Sequence, residues 1–168
     1  RGYHFIKVAW FESSGGEVLK VFYSGADTGG KEEGIDGYHF ASVLPGANGK
    51  LWYMGDEIER FPSAVTDGSL ASSNVIQTDA IDFRNKGDFR EYAPDFPGER
   101  FAGIWKGDIE IVREGKYQFF LRSRDGSHLF VDGIKLIDNG GSHGGRVEQG
   151  EIDLAAGIHS YEVTYWDN

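Results

Sequence analysis

The side chains able to do chemistry in this sequence are five histidines and many aspartates, glutamates and serines. His4 and His159 hold equivalent places in a repeated segment, which favours structural, hydrogen-bonded histidines over metal or catalytic ones. Adjacent carboxylates such as Asp56-Glu57 occur in any acidic protein and indicate solvated surface. We expect no serine on the strained strand-to-helix turn that activates the nucleophile of many hydrolases. These observations predict that the chain is not an enzyme.

The charge balance limits the partners of the chain. Its 27 acidic and 17 basic residues give a formal net charge of −10, and lysine and arginine do not cluster. Nucleic acid and anionic membrane both require a positive footprint, and no stretch approaches the roughly 20 apolar residues that cross a bilayer. We therefore expect neither nucleic-acid binding nor membrane insertion. Cations and neutral molecules are compatible with this charge as ligands.

Short strands joined by tight turns are the elements that must position these groups. With 25 glycines, 4 prolines and many aromatic residues, the composition is typical of an all-β domain. Apolar residues alternate from Phe101 to Arg113, in two pieces, and from Tyr117 to Leu121, which predicts half-buried antiparallel strands. Asp132-Gly133 predicts a two-residue hairpin turn, because both residues tolerate positive φ angles. Three prolines interrupt the segment 51–100, for which we predict loops with a few short strands.

An internal repeat sets the predicted domain organisation. Residues 2–12 align without gaps on residues 157–167, with glycine, histidine, valine and aromatic positions in register. In the second copy, alternate positions from His159 to Tyr165 form one face of a strand. The chain is therefore expected to start inside one repeat and stop inside the next. The predicted parts are a closing hairpin of a preceding repeat (1–30), a linker (31–49) and a β-sandwich lacking its own closing hairpin (50–168).

The run from Gly115 to Asn139 resembles the centre of the domain first named for the anthrax-toxin protective antigen, the "PA fourteen" domain. It contains that family's strand, Ser-x-Asp-Gly loop, Leu-x-x-Asp-Gly hairpin and Asp-Asn ending. The Phe-x-x-x-Trp-x-Gly pattern at 101–107 and the Leu-Trp-Tyr-Met-Gly run at 51–55 are similar to its flanking strands. The resemblance covers about residues 50–168 and implies an antiparallel, jelly-roll-like β-sandwich module of extracellular proteins, and the internal repeat adds that such modules occur in tandem.

The resemblance also implies a calcium site. In the calcium-dependent members, two successive aspartates precede the glycine of the Ser-x-Asp-Gly loop, and an asparagine follows the penultimate strand. This chain keeps the second aspartate as Asp125 and the asparagine as Asn168, with Asp167 adjacent, but Arg124 replaces the first aspartate. The arginine repels a divalent cation, so in one alternative it pairs with Asp125 in place of the ion. In another, Asp125 only caps a turn.

Sugar binding at the same end of the domain would need aromatic faces for stacking and polar groups for the hydroxyls. Sequence order brings Trp166, His128 and His143 towards the calcium ligands, and Arg124 lies beside them. We therefore predict these four as ligand-binding residues. Each also has a structural interpretation, since Trp166 suits the rim of a sandwich and the glycine-rich run 140–145 suits a plain loop.

Three functions agree with this sequence, all of them for a secreted or cell-surface protein. The first is a lectin-like carbohydrate-binding or adhesion module, with glycans or cell-surface polysaccharide as partners and calcium as the implied cofactor. The second is a structural spacer repeat of an extracellular filament, sheath or matrix, in which neighbouring repeats are the partners and strand donation links the copies. The third is an accessory domain of a glycoside-active enzyme.

Overall fold

The computed structural model describes residues 46–168 in full, and before them the backbone of four short strands. Those strands are β1 (Tyr3–Phe5), β2 (Leu19–Lys20), β3 (Phe22–Tyr23) and β4 (Glu33–Gly34). The elements that follow are β5 (Ala47–Tyr53), α1 (Ser63–Thr66), β6 (Asn74–Thr78), β7 (Asp82–Phe83), α2 (Lys86–Tyr92), β8 (Phe101–Ile111), β9 (Gly115–Ser123), β10 (Ser127–Val131), β11 (Ile134–Asn139), β12 (Arg146–Leu154) and β13 (Gly157–Asp167). Neither described helix is long and apolar enough to cross a bilayer.

Two sheets form the sandwich, which confirms the predicted fold class. One has six strands in the order β11-β10-β13-β8-β5-β6, and every pairing is antiparallel. The other is built on β9, which pairs with β12 along its length on one side and with β1 and β2 on the other, while β7 extends β2. Among the described pairings of this second sheet, that of β1 with β9 is parallel and the others are antiparallel. The strands β3 and β4 pair separately.

The core lies between the two sheets and follows the two-residue period of the strands. On β13, Tyr161, Val163 and Tyr165 are buried, as the alternation predicts, and His159 at the start of that face is partly exposed. The facing residues Tyr117 and Phe119 of β9 are fully buried. Each such side chain contributes about 1.5–3 kcal/mol through the apolar surface that it removes from water. Hydrophobic alternation therefore fixes which face of each of these strands lies against the core.

Two predictions about local structure were wrong. The segment 51–100 contains α1 and α2 as well as short strands, and the two predicted pieces between Phe101 and Arg113 form one strand, β8. The Asn85 side chain accepts a hydrogen bond from the Gly87 amide at 2.7 Å and caps α2. The helix has a single buried residue, Phe89, stacked on Phe83 at 4.1 Å between ring centroids. Because only one of its seven residues is a buried apolar residue, this helix shows no helical hydrophobic pattern in the sequence.

A second apolar cluster covers one end of the outer face of the six-stranded sheet. Trp52, Ala102 and Trp166 come from three neighbouring strands, and Ile58 and Val65 of the segment 54–66 pack over them. This segment is thereby held beside the ends of β8 and β13, where the loops of the candidate site lie.

The predicted division into hairpin, linker and sandwich falls largely outside the described residues. The backbones of β1 and β2 pair with β9 of the same chain. The strand β5 begins at Ala47, three residues before the predicted domain start. The side chain of His4 also lies outside the described part. The division stays a prediction.

Candidate functional site

Three segments meet at one end of the sandwich, which we call the loop end. They are the β9–β10 loop (residues 124–126), the β11–β12 loop (residues 140–145) and Asn168, which follows β13. They meet because β10 pairs with both β11 and β13. The Trp166 amide donates to the Gly126 carbonyl at 2.9 Å and fixes the first loop on β13.

Asp125 lies at the centre of the loop end. Its φ of 58° is in the left-handed region, which aspartate tolerates better than most residues. Its amide donates to the His143 carbonyl at 2.8 Å. Its Oδ1 accepts hydrogen bonds from Ser142 Oγ at 2.8 Å and from the His143 amide at 3.1 Å, and its Oδ2 accepts one from the Asn168 amide at 3.5 Å. The carboxylate therefore joins all three segments.

A buried polar network on the core side of the loop end holds the backbone of Asp125. Ser123 Oγ donates to the Asp125 carbonyl at 2.7 Å and lies 2.7 Å from Ser127 Oγ. Asn139 Nδ2 donates to Ser123 Oγ at 2.9 Å, and Arg146 Nε donates to Asn139 Oδ1 at 2.6 Å. Ser123, Ser127 and Asn139 are fully buried. The sequence prediction missed these residues, although polar side chains at core-facing strand positions are a readable signal.

Four of the predicted site residues lie at the loop end, namely Asp125, Asn168, His143 and Arg124, and hydrogen bonds join the first three. The Asn168 side chain already has a partner in the segment 54–66, because its Oδ1 accepts a hydrogen bond from the Ile58 amide at 3.1 Å. The His143 ring contacts the Gly144 and Asn139 carbonyls at 2.7 and 3.1 Å. It is therefore held against its own loop.

Arg124 also belongs to the loop end, but it does not replace an ion. Its side chain is exposed, and within residues 46–168 it makes no ion pair with the Asp125 carboxylate. The three donors from residues 142, 143 and 168 serve that carboxylate instead. The alternative in which arginine pairs with Asp125 was therefore wrong for the described structure.

Two predicted ligand-binding residues, Trp166 and His128, pack beneath the loops of the loop end. Trp166 is only 1% exposed, its ring packs at 6.1 Å from Phe61, and a Cβ on Gly126 would lie 1.9 Å from it. It cannot stack on a sugar, so that prediction was wrong. His128 lies on β10, on the outer face of the six-stranded sheet. Its Nε2 is 3.2 Å from Asp138 Oδ1, and its Nδ1 is 3.2 Å from Thr164 Oγ1. Burial lowers the pKa of His128, and the Asp138 charge only partly opposes this.

The donor set at the loop end does not fit a calcium ion. Calcium takes six to eight oxygen ligands, whereas the described residues contain no group of three or more acidic or histidine side chains placed to hold a metal. Asp125 already accepts three hydrogen bonds. Asp167 lies on the core-facing side of β13, 2% exposed, with its Oδ1 3.5 Å from the Tyr165 hydroxyl. One available carboxylate beside an arginine is too little charge for a divalent cation.

The geometry of Ser142 gives no support for nucleophilic catalysis. The run Gly140–Gly144 spells Gly-x-Ser-x-Gly, but it connects two strands of the sandwich and no helix follows it. Ser142 Oγ donates directly to Asp125, and both ring nitrogens of His143 contact backbone carbonyls. Among the described residues, no histidine therefore faces this hydroxyl to take its proton, and its one side-chain partner is the Asp125 carboxylate, which three hydrogen bonds already occupy.

The fold and the loop end define a β-sandwich module with a polar, loop-built end, and comparison with known proteins gives its family. A family model described as the PA14 domain matches residues 66–164. The chain therefore belongs to the PA14 domain family. Comparison with curated proteins finds no significant match.

Solved structures of the same fold are similar at low sequence identity. A PA14 sugar-binding domain from an RTX adhesin has a TM-score of 0.60 at 21% identity, over 74% of this chain and 84% of that one. The PA14 domain of the antifreeze protein MpAFP has a TM-score of 0.58 at 11% identity, over 73% and 74%. A β-glucosidase from Kluyveromyces marxianus has 0.55 at 13%, over 80% of this chain but 17% of that one.

Proposed function

We propose that this chain is an extracellular, non-catalytic carbohydrate-binding module of the adhesion type, and that glycans bind at its loop end. The observation that carries the proposal is the Asp125 carboxylate, which holds the three loop-end segments in one arrangement. Membership of the PA14 family supports it, as does the fold shared with an adhesin domain described as sugar-binding.

The chemistry of the exposed loop-end groups suits sugar hydroxyls. The guanidinium of Arg124 offers several donors, and the exposed Ser142 hydroxyl both donates and accepts. Asp125 itself is buried, at 8% exposure, so its part in our proposal is to hold these loops in place. Preformed loops reduce the entropy lost on binding. In our proposal this arrangement works without calcium, since hydrogen bonds to Asp125 hold the loops.

Isothermal titration calorimetry of the 168-residue chain with a panel of neutral and acidic oligosaccharides tests this function. We expect at least one saccharide to bind, and Asp125→Asn to weaken its affinity about tenfold or more. Asp153→Asn is the matched control, because Asp153 is an exposed carboxylate on β12 beyond the loop end, and it should leave the affinity unchanged. Absence of binding across the panel, or equal affinities of the two variants, would contradict the proposal.

A structural repeat is the second candidate, and the pairing of β1 and β2 with β9 favours it. If these strands fit the β9 edge of their own chain, they also fit the same edge of a neighbouring copy. Light scattering after size exclusion at rising protein concentration separates the two arrangements. Strand donation predicts oligomers that grow with concentration, whereas a monomer at every concentration would exclude it.

The third interpretation is that the module accompanies a glycoside-active enzyme. The shared fold with part of a β-glucosidase is compatible with it. In that case the catalytic groups lie outside these residues. Assay of the chain with chromogenic glycosides should give no turnover above buffer.

A further inference from the structure

The outer face of the six-stranded sheet contains a trough away from the loop end. Its volume is about 580 Å³, and its lining includes Asn48, Lys106, Asp108, Phe130 and Tyr161. Ser160, opposite Asp108 in the sheet, is eight residues before Asn168. At about 3.3 Å per residue this is about 26 Å along the strand direction. The trough and the loop end therefore share no side chain.

One row of side chains crosses the trough at right angles to the strands. The register places Asn48, Lys106, Glu162 and Phe130 opposite one another on β5, β8, β13 and β10. Lys106 Nζ lies 2.7 Å from Glu162 Oε2, so these two charges neutralise each other. The half-buried Phe130 ring ends the row and offers an apolar face. The row is thus polar in the middle and aromatic at one end.

Two polar groups of the trough have no side-chain hydrogen bond within the described part of the chain. They are the Asn48 amide and the Asp108 carboxylate. Asn48 is exposed and Asp108 is half-buried. Both lie on the outer face with Phe130, whereas the Tyr161 side chain belongs to the core between the sheets. The trough therefore offers one amide and one carboxylate to a ligand.

We infer that this trough is a second binding site, and that its ligand is a neutral oligosaccharide. An aromatic face beside unpaired donors and acceptors matches a sugar ring, which presents C–H groups on its faces and hydroxyls at its edge. Lys106, Glu162 and Asp108 together carry one net negative charge, which disfavours anionic ligands. The inference goes beyond the proposed function, because it needs none of the loop-end residues.

A nitrogen-15 NMR titration of the whole chain with maltotetraose, cellotetraose and laminaritetraose tests this site. At least one should shift the amides of Lys106, Asp108 and Ser160. Phe130→Ala and Asn48→Ala should each weaken that binding about fivefold or more, and Asn48→Ala removes an exposed side chain that makes no hydrogen bond within the described part of the chain. Glu110→Gln changes a carboxylate on the same face of β8 outside the trough, and it should have no effect.

The two sites are distinguished by where the shifts occur and by which variant removes them. Trough shifts that persist in Asp125→Asn support the inference even if the loop end binds nothing. Absence of shifts at residues 106–108 and 160 with all three tetrasaccharides would overturn it. It would also be overturned if Asp125→Asn abolished those shifts while Phe130→Ala and Asn48→Ala left them unchanged.

Discussion

His159 shows how a single side chain of a repeated motif acquires a structural role. Its Nδ1 lies 2.6 Å from Asp132 Oδ2, and its Nε2 lies 2.9 Å from the Ala155 carbonyl. Both partners are acceptors, so only the doubly protonated ring satisfies both contacts. This pair fastens the β10–β11 turn, with φ of 49° and 76° at Asp132 and Gly133, onto the start of β13. The predicted hydrogen-bonded histidine and hairpin turn are both confirmed here.

The first prediction concerns the pH dependence contributed by His159. Burial alone lowers its pKa, but hydrogen bonds to Asp132 and Ala155 and the Asp132 charge outweigh burial and raise the pKa above 6.5. The contribution is therefore fully present below pH 6.5 and is lost as the pH rises through the raised value. Because Asp132 is 44% exposed, solvent limits the effect to about 0.5 kcal/mol.

Urea unfolding of wild type and His159→Gln from pH 5 to 9 measures this contribution. The stability difference between the two should be largest at the acidic end and should shrink above pH 6.5. The pKa of Asp132 is lowered, first by the His159 hydrogen bond, so its own contribution is lost only below 3.8. A difference that grows towards pH 9 would contradict the assignment.

The second prediction concerns Asp125 as a structural residue. Asp125→Ala removes the acceptor of three hydrogen bonds and places alanine at a positive φ, so we expect a loss of about 2–3 kcal/mol. Asp125→Asn tolerates the backbone and should lose about 1 kcal/mol. Denaturant unfolding gives both values, with Asp153→Ala as the neutral control. Equal stabilities of all three variants would show that Asp125 does not hold the loops.

At the scale of elements, the contact between the β9–β10 loop and β13 decides the shape of the loop end. Gly126 lies under the Trp166 ring, and this ring in turn contacts Phe61 and His128. The conformational freedom of glycine is not the reason for Gly126, because its φ is not positive. The space taken by the indole is the reason. The Ser-x-Asp-Gly pattern includes this glycine. The Trp166 side chain that requires it, however, lies 40 residues further along the chain.

The third prediction follows from that contact. Gly126→Ala forces the indole or the loop to move, because the new Cβ would overlap Trp166, and we expect a loss of about 2 kcal/mol or more. Gly55→Ala is the matched control, since nothing lies within 4 Å of its added Cβ. Melting temperatures by circular dichroism compare the two, and tryptophan fluorescence reports the indole environment. A Gly126→Ala variant as stable as Gly55→Ala would place Trp166 elsewhere.

For the whole molecule, the fourth prediction is that calcium does not hold this module together. The described donor set lacks the carboxylates for the ion, and Asp125 is satisfied by protein donors. A ligand bound only to the native state raises its stability by mass action. The melting temperature should therefore be the same in 1 mM calcium and in excess chelator. A chelator-dependent fall of several degrees would reverse this conclusion.

The sequence by itself determined that the chain forms antiparallel strands, one hairpin turn and the core-facing positions of β13, because alternation and turn chemistry are local properties of the chain. The sandwich followed from the resemblance to a known family. The sequence also pointed to Asp125, His143 and Asn168 through their motifs. Only the tertiary structure decided that Trp166 is buried, that Asp167 faces the core, and that Ser142 and Asn168 donate to Asp125. Those facts depend on which strands become neighbours, as does the row from Asn48 to Phe130, whose members come from four strands. Contacts between distant segments are set by the packing of the whole sandwich, so no local pattern contains them.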